Sequence, residues 1–204
     1  MRALTGLAAL AALAALSVPA IQRGAADLVA FGARHGLDRA GLPTVEASAR
    51  ARQRFERAIE LDGGNPDHHE YLARWYEHAG AYRQALSHFR TALEARPAWP
   101  YAWADVARVK LRLGELDGEF DSAVQRAARL GPWERGVQLA TAEIAFQAEH
   151  RLAPETRRAA LGLTSNALKR NQREVAELAV RRGRLDLLCA VPGIGAYPIA
   201  LRCI

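Results

Sequence analysis

The chain has 204 residues, half of them hydrophobic, and a formal net charge of +6. That length holds one helical domain plus a targeting segment. Abundant Ala, Leu and Arg with few β-branched residues argue for helix and against a sheet-based fold. The excess of Arg, against only Lys110 and Lys169, invites an anionic partner. Runs such as Arg50-Ala-Arg52-Gln-Arg54-Phe-Glu56-Arg57 interleave the charge with other residues, however, as a solvated amphipathic face does.

Residues 1–21 set the compartment. Arg2 precedes ALTGLAALAALAALSVPAI, an uncharged run of 19 residues. A spanning helix needs about 20 apolar residues and a secretory core about 7–15, so the segment reads as a transmembrane anchor or a signal peptide. Val18-Pro19-Ala20 offers small residues for cleavage after Ala20. Arg2 and the free amine favour an N-in orientation. Both readings export the remainder, to the periplasmic side of an inner membrane or to the periplasm. Residues 22–43 form a juxtamembrane helix or linker, with Leu28, Val29 and Phe31 as its apolar face.

Gly41 and Pro43 mark a break. A helix begins near Thr44, a good N-cap, and runs to about Leu61, with Ala51, Phe55 and Ala58 inward. Asn65-Pro66-Asp67 then combines a capping residue, a proline suited to the first helical position and a charge favoured by the helix dipole. Two helical runs follow, split by Ala79-Gly80-Ala81. The first carries Leu72, Ala73 and Tyr76; the second carries Tyr82, Ala85, Phe89 and Ala92, and Pro97 ends it.

Leu72, Ala73, Tyr76, Gly80, Tyr82, Ala85, Phe89, Ala92 and Pro97 resemble the tetratricopeptide repeat (TPR), a helix–turn–helix unit of about 34 residues. His69 stands where the family carries an early Trp. The resemblance implies an all-α solenoid of helical hairpins, each needing stacked neighbours to bury its apolar stripe. Pro100 opens the next unit. Trp103, Val106, Ala107, Gly114 and Leu116 follow one period on, and Phe120, Val124, Ala127 and Pro132 continue after one inserted residue. TPR-like repeats therefore span 44–132.

Residues 133–183 read as a degenerate repeat and a capping helix. Val137, Ala140 and Ile144 form one stripe, Pro154 opens a helix to about Lys169, and 172–182 forms the last. Residues 184–204 form a C-terminal segment around Cys189 and Cys203. An exported chain with two cysteines points to one disulfide closing that segment, with two free thiols as the alternative.

The sequence lacks the common nucleophile, phosphate-loop and zinc signatures, so a non-enzymatic role is expected, with no cofactor and no metal. His68-His69-Glu70 superficially suggests a metal site, but adjacent helical residues diverge by about 100°. Val191-Pro192-Gly193-Ile194-Gly195 resembles the glycine turn of helix–hairpin–helix DNA-binding modules. That gives an alternative reading as an exported DNA- or anionic-polysaccharide-binding protein. A single hairpin with Pro198 close behind disfavours nucleic acid.

Gly131-Pro132-Trp133-Glu134, Val137-Gln138-Leu139-Ala140 and Arg181-Arg182-Gly183-Arg184-Leu185-Asp186 resemble small TPR proteins encoded with bacterial extracellular-polysaccharide machinery. The implied role is a scaffold for protein partners. In TPR stacks the first helices line a groove, which places Glu70, Arg74, Glu77, His78, Tyr101, Ala104, Arg108, Leu111 and Arg112 there. Arg74, Arg108 and Arg112 are the expected donors to an acidic or C-terminal peptide segment. Glu70 and Arg74 replace the Lys and Asn of the chaperone-binding carboxylate clamp, which argues against a chaperone tail.

Overall fold

The computed structural model describes residues 2–39, 45–191 and 194–196, with side chains at 15, 17–34, 45–191 and 194–195. Every regular element among them is helical: α1 (Arg2–Arg39), α2 (Val45–Leu61), α3 (Pro66–His78), α4 (Tyr82–Ala95), α5 (Pro100–Leu113), α6 (Gly118–Leu130), α7 (Arg135–Ala148), α8 (Pro154–Leu168), α9 (Gln172–Arg181) and α10 (Leu185–Cys189). Short 3-10 turns follow α7 and α10. The ten helices pack as neighbouring pairs, α1 on α2 through α9 on α10, and successive pairs stack on each other. Thr44, the expected cap of α2, lies outside the described residues.

Local chemistry sets the hairpin bends. Asn65 caps α3 by accepting the Asp67 N–H at 3.0 Å, and Pro66 fills its first position. Gly80 and Gly114 end α3 and α5 with φ of 75° and 77°, a left-handed conformation costly for any residue with a Cβ. Each turn is closed by the same backbone bond, from Ala81 N–H to Tyr76 C=O and from Glu115 N–H to Lys110 C=O. Gly183 repeats the motif after α9. The α5–α6 turn has a further clamp. Lys110 is buried, and its ammonium donates to Glu115, Asp117 and Glu119 at 3.3, 2.9 and 2.8 Å.

Small residues admit neighbouring helices and large ones fill the space beside them. Ala73, Ala85, Ala92 and Ala107 are buried beside fully buried Phe89 and Phe120, with Leu72 at the α2–α3 junction. Tyr76 and Tyr82 are half-buried against this core. Trp103 is half-buried too, and its indole N–H donates to the Pro97 carbonyl at 2.7 Å, tying the start of α5 to the segment that follows α4. Val137, Ala140 and Ile144 are buried as their stripe requires.

One expectation fails. Leu28 and Phe31 are 71% and 52% exposed, while Ala26, Ala30 and Ala33 are buried against α2. Close approach of two helices selects the alanine stripe, not the most hydrophobic one. The segment read as a juxtamembrane helix or linker is helical as far as Arg39 and continues α1, which serves as the first helix of a hairpin with α2. Among the described residues no helix is long and apolar enough to cross a membrane. Cys189 is disulfide-bonded; Cys203, its expected partner, lies outside the described residues.

Two substitutions test this packing. Phe89→Ala is expected to cost about 3–5 kcal/mol, the range for buried aromatic truncation. Gly114→Ala should cost about 1–2 kcal/mol through backbone conformation alone, since open space surrounds the site. Urea unfolding followed by circular dichroism reads both, and unshifted midpoints would contradict the hairpin register.

Candidate functional site

The odd-numbered helices all run the same way. Arg34 and Asp27 of α1 meet Tyr71 and the α3 start, respectively. Arg74 and Glu77 of α3 meet Asp105 and Arg108 of α5. Tyr101 and Arg112 of α5 meet Glu134 and Glu143 at and along α7. Arg135 and Glu143 of α7 then meet Glu174 and Arg182 of the α9 hairpin. In every step the earlier residue of one helix meets the earlier partner on the next, and the later residue the later partner. Five parallel first helices thus share one face.

A ladder of ion pairs crosses that face. Glu70 is buried and accepts from Arg96 at 3.0 Å, and lies 3.5 Å from Arg74. Arg74 reaches Asp105 at 3.2 Å, and Asp105 also takes Arg108 at 2.7 Å. Arg108 grips Glu77 bidentately at 2.6 and 2.7 Å. Further along, Glu143 accepts from both Arg112, at 2.9 Å, and Arg182. Burial pushes the Glu70 and Asp105 carboxyls above their ordinary range, although neighbouring arginines pull the other way. For Arg108 burial acts to lower the guanidinium, and the Glu77 and Asp105 carboxylates outweigh it and hold it high.

This changes the role of the expected groove residues. Arg74, Arg108 and Arg112 do lie on the shared face, but their donors already serve Glu70, Asp105, Glu77 and Glu143. Ala104 is buried in the core, so it does not line a groove, and Leu111 is half-buried. Tyr101 donates its hydroxyl to Glu134, which raises the phenol above its usual range. His78 is exposed at the end of α3.

Two clefts flank the ladder. One, of about 360 Å³, lies between α5, α7 and α9. Leu139 and Leu178 form its apolar part, and Arg135, Glu143, Glu177 and Arg181 its charged rim. The other, of about 480 Å³, lies between α1 and α3 and includes Leu28, Phe31, Arg34, His68 and Tyr71. The exposed apolar residues of α1 thus form one wall of a cleft.

The adjacent histidines face different neighbours. His68 lies 3.6 Å from Asp27 of α1. His69 meets His88 of α4 at 3.1 Å and the Gly63 carbonyl at 3.1 Å. A carbonyl only accepts, so Nε2 of His69 carries a proton; in the neutral ring Nδ1 then accepts from His88. Val191 and Leu188 are buried in the C-terminal core. Ile194–Ala196 is a 3-10 turn, while Pro192 and Gly193 of the glycine turn lie outside the described residues.

The ladder left a trace in the sequence that composition does not reveal. Arg74–Asp105, Glu77–Arg108 and Arg112–Glu143 are each 31 residues apart, about one repeat less one helical turn. Charges of opposite sign recurring at that spacing are the readable signal. No protein-family model matches the chain, and curated proteins show no match to it.

Burial holds the His68 and His88 imidazoles below their ordinary 6.5. The unfolded chain therefore binds protons that the fold refuses, and stability falls as pH drops below about 6.5. Glu70 and Asp105 act in the opposite sense, because the folded carboxyls protonate first; their contribution grows as pH approaches their ordinary 4.5 and 3.8. Urea midpoints should decline between pH 7 and 5.5, and the double variant His68→Gln/His88→Gln should flatten that decline. An unchanged slope in the variant would contradict the assignment.

Proposed function

We propose that this chain is an exported TPR scaffold, tethered by its N-terminal run or released after cleavage, that holds a protein segment against the shared face of its first helices. The observation that carries the reading is the parallel alignment of α1, α3, α5, α7 and α9 into one face with clefts at both ends of an ion-pair ladder. An extended face of this kind suits a peptide segment that lies across several repeats. The ladder's charges are paired internally, so affinity comes from side chains entering the clefts, with Arg181 and Leu139 as principal contacts. This shifts the recognition residues from Arg74, Arg108 and Arg112 to their neighbours.

The resemblance to small TPR proteins of extracellular-polysaccharide machinery supplies the context: the partner belongs to the assembly or export apparatus, and the scaffold contributes no chemical step. The apolar run behind Arg2 supports export, with α1 emerging on the outer side of the inner membrane.

Two measurements test the proposal. A photo-crosslinking residue at Leu139 should yield a defined protein adduct in living cells, and the same residue at Ser122 on the outer helix α6 should not. Adducts of equal yield at both positions would count against the shared face. A topology reporter fused after residue 39 should be active only on the periplasmic side; cytoplasmic activity would overturn the export reading.

A further inference from the structure

The parallel first helices fix which end of the stack α1 leaves from. Gly24 and Asp27 of α1 lie beside Asp67 and His68 at the start of α3, and residues 17–24 are exposed. The helix before Gly24 therefore projects from the end where α3, α5, α7 and α9 begin. Its 22 residues extend about 33 Å at 1.5 Å per residue. At that same end lie the connections between hairpins.

Those connections carry an aromatic and basic edge. Trp133, between α6 and α7, is 55% exposed, and Leu130 beside it is 41% exposed. The Lys169 ammonium and Arg170 guanidinium, just after α8, stand 5.4 and 5.9 Å from the Trp133 ring. Arg129 is exposed next to Leu130. Arg126 covers Trp103 at 4.7 Å. Arg126, Arg129, Lys169 and Arg170 make no salt bridge among the described residues. Of the acidic groups at this end, Glu134 is engaged by Tyr101, Glu174 by Arg135, and Asp67 by Arg96; Glu94, in the last turn of α4, is exposed. Asp27 and Asp62 sit at the α1 end of the edge, where the helix rather than surface charge would make the attachment.

We propose that the Trp133–Lys169–Arg170 edge docks on anionic phospholipid headgroups of the membrane that receives the N-terminal run. An exposed indole flanked by cations has the composition of a membrane-interface anchor. Lys and Arg near an anionic surface add attraction that falls within a Debye length. Two attachments, the N-terminal run at one end of the stack and this edge toward the other, would lay the solenoid along the bilayer. The first helices would then stand upright on the membrane, with the shared face open to the side. The proposal rests on the export reading for the direction of the membrane, but the edge has its own signature.

The test uses the full chain reconstituted with vesicles of phosphatidylglycerol and phosphatidylcholine, carrying lipid brominated high on the acyl chain. The difference between the wild type and Trp133→Phe isolates the fluorescence of Trp133. Quenching of that component is expected on anionic vesicles. It should be lost on pure phosphatidylcholine, at high salt, and in the Lys169→Glu/Arg170→Glu variant. The variant should still sediment with vesicles through its N-terminal run. A wild-type chain that sediments while Trp133 stays unquenched overturns the docking edge and leaves the tether standing. A chain that fails to associate with either vesicle overturns both. Protection of Trp133 by dextran sulfate with none by anionic vesicles would assign the patch to a soluble polyanion and overturn the proposal.

Discussion

Asp105 is a carboxyl almost removed from water, and the guanidiniums of Arg74 and Arg108 pair with it there, opposing the burial that raises it. The stack's register depends on such contacts. Apolar burial around Phe89, Phe120 and Ile144 supplies most of the cohesion. It does little to decide how far one hairpin slides along the next, since alanine-rich surfaces accept several offsets. Paired charges are less tolerant. A slip of one helical turn would strand Asp105 and Glu70 in a poorly solvated site without partners, at a cost of several kcal/mol. The ladder thus contributes more to specificity than to net stability.

The same contacts constrain function. Had Arg74, Arg108 and Arg112 been free, the shared face would have been a basic groove suited to an acidic tail. Since they pair across the hairpins, their charges are met on the face itself, which is why the proposed reading assigns binding to the clefts. Under that proposal, the residues that hold the hairpins in register are separate from those that would meet a partner. Such a division lets the clefts vary without loss of the fold.

Much of the architecture was legible in the sequence. Gly80 and Gly114 are one period apart and bend the chain alike, and Phe89 and Phe120 are each buried inside their own hairpins. These features are local, or repeat at a fixed interval, so pattern alone finds them. The face of α1 was misread because hydrophobicity points to Leu28 and Phe31, whereas close helix contact demands Ala26, Ala30 and Ala33. The groove was half legible. Helical phase placed Arg74 and Arg108 on the face that the first helices share, but their partners lie 31 residues away, and nothing local reveals that their donors are already taken.

A double-mutant cycle between Glu77 and Arg108 tests the ladder most directly. The pair is bidentate and mostly buried, joining α3 to α5. Glu77→Gln, Arg108→Gln and the double variant would be compared by urea unfolding at neutral pH. The account predicts a coupling energy of about 1–3 kcal/mol, the scale for contacting groups within one network. Strictly additive effects of the two substitutions would contradict it and would leave the hairpin register to apolar packing alone.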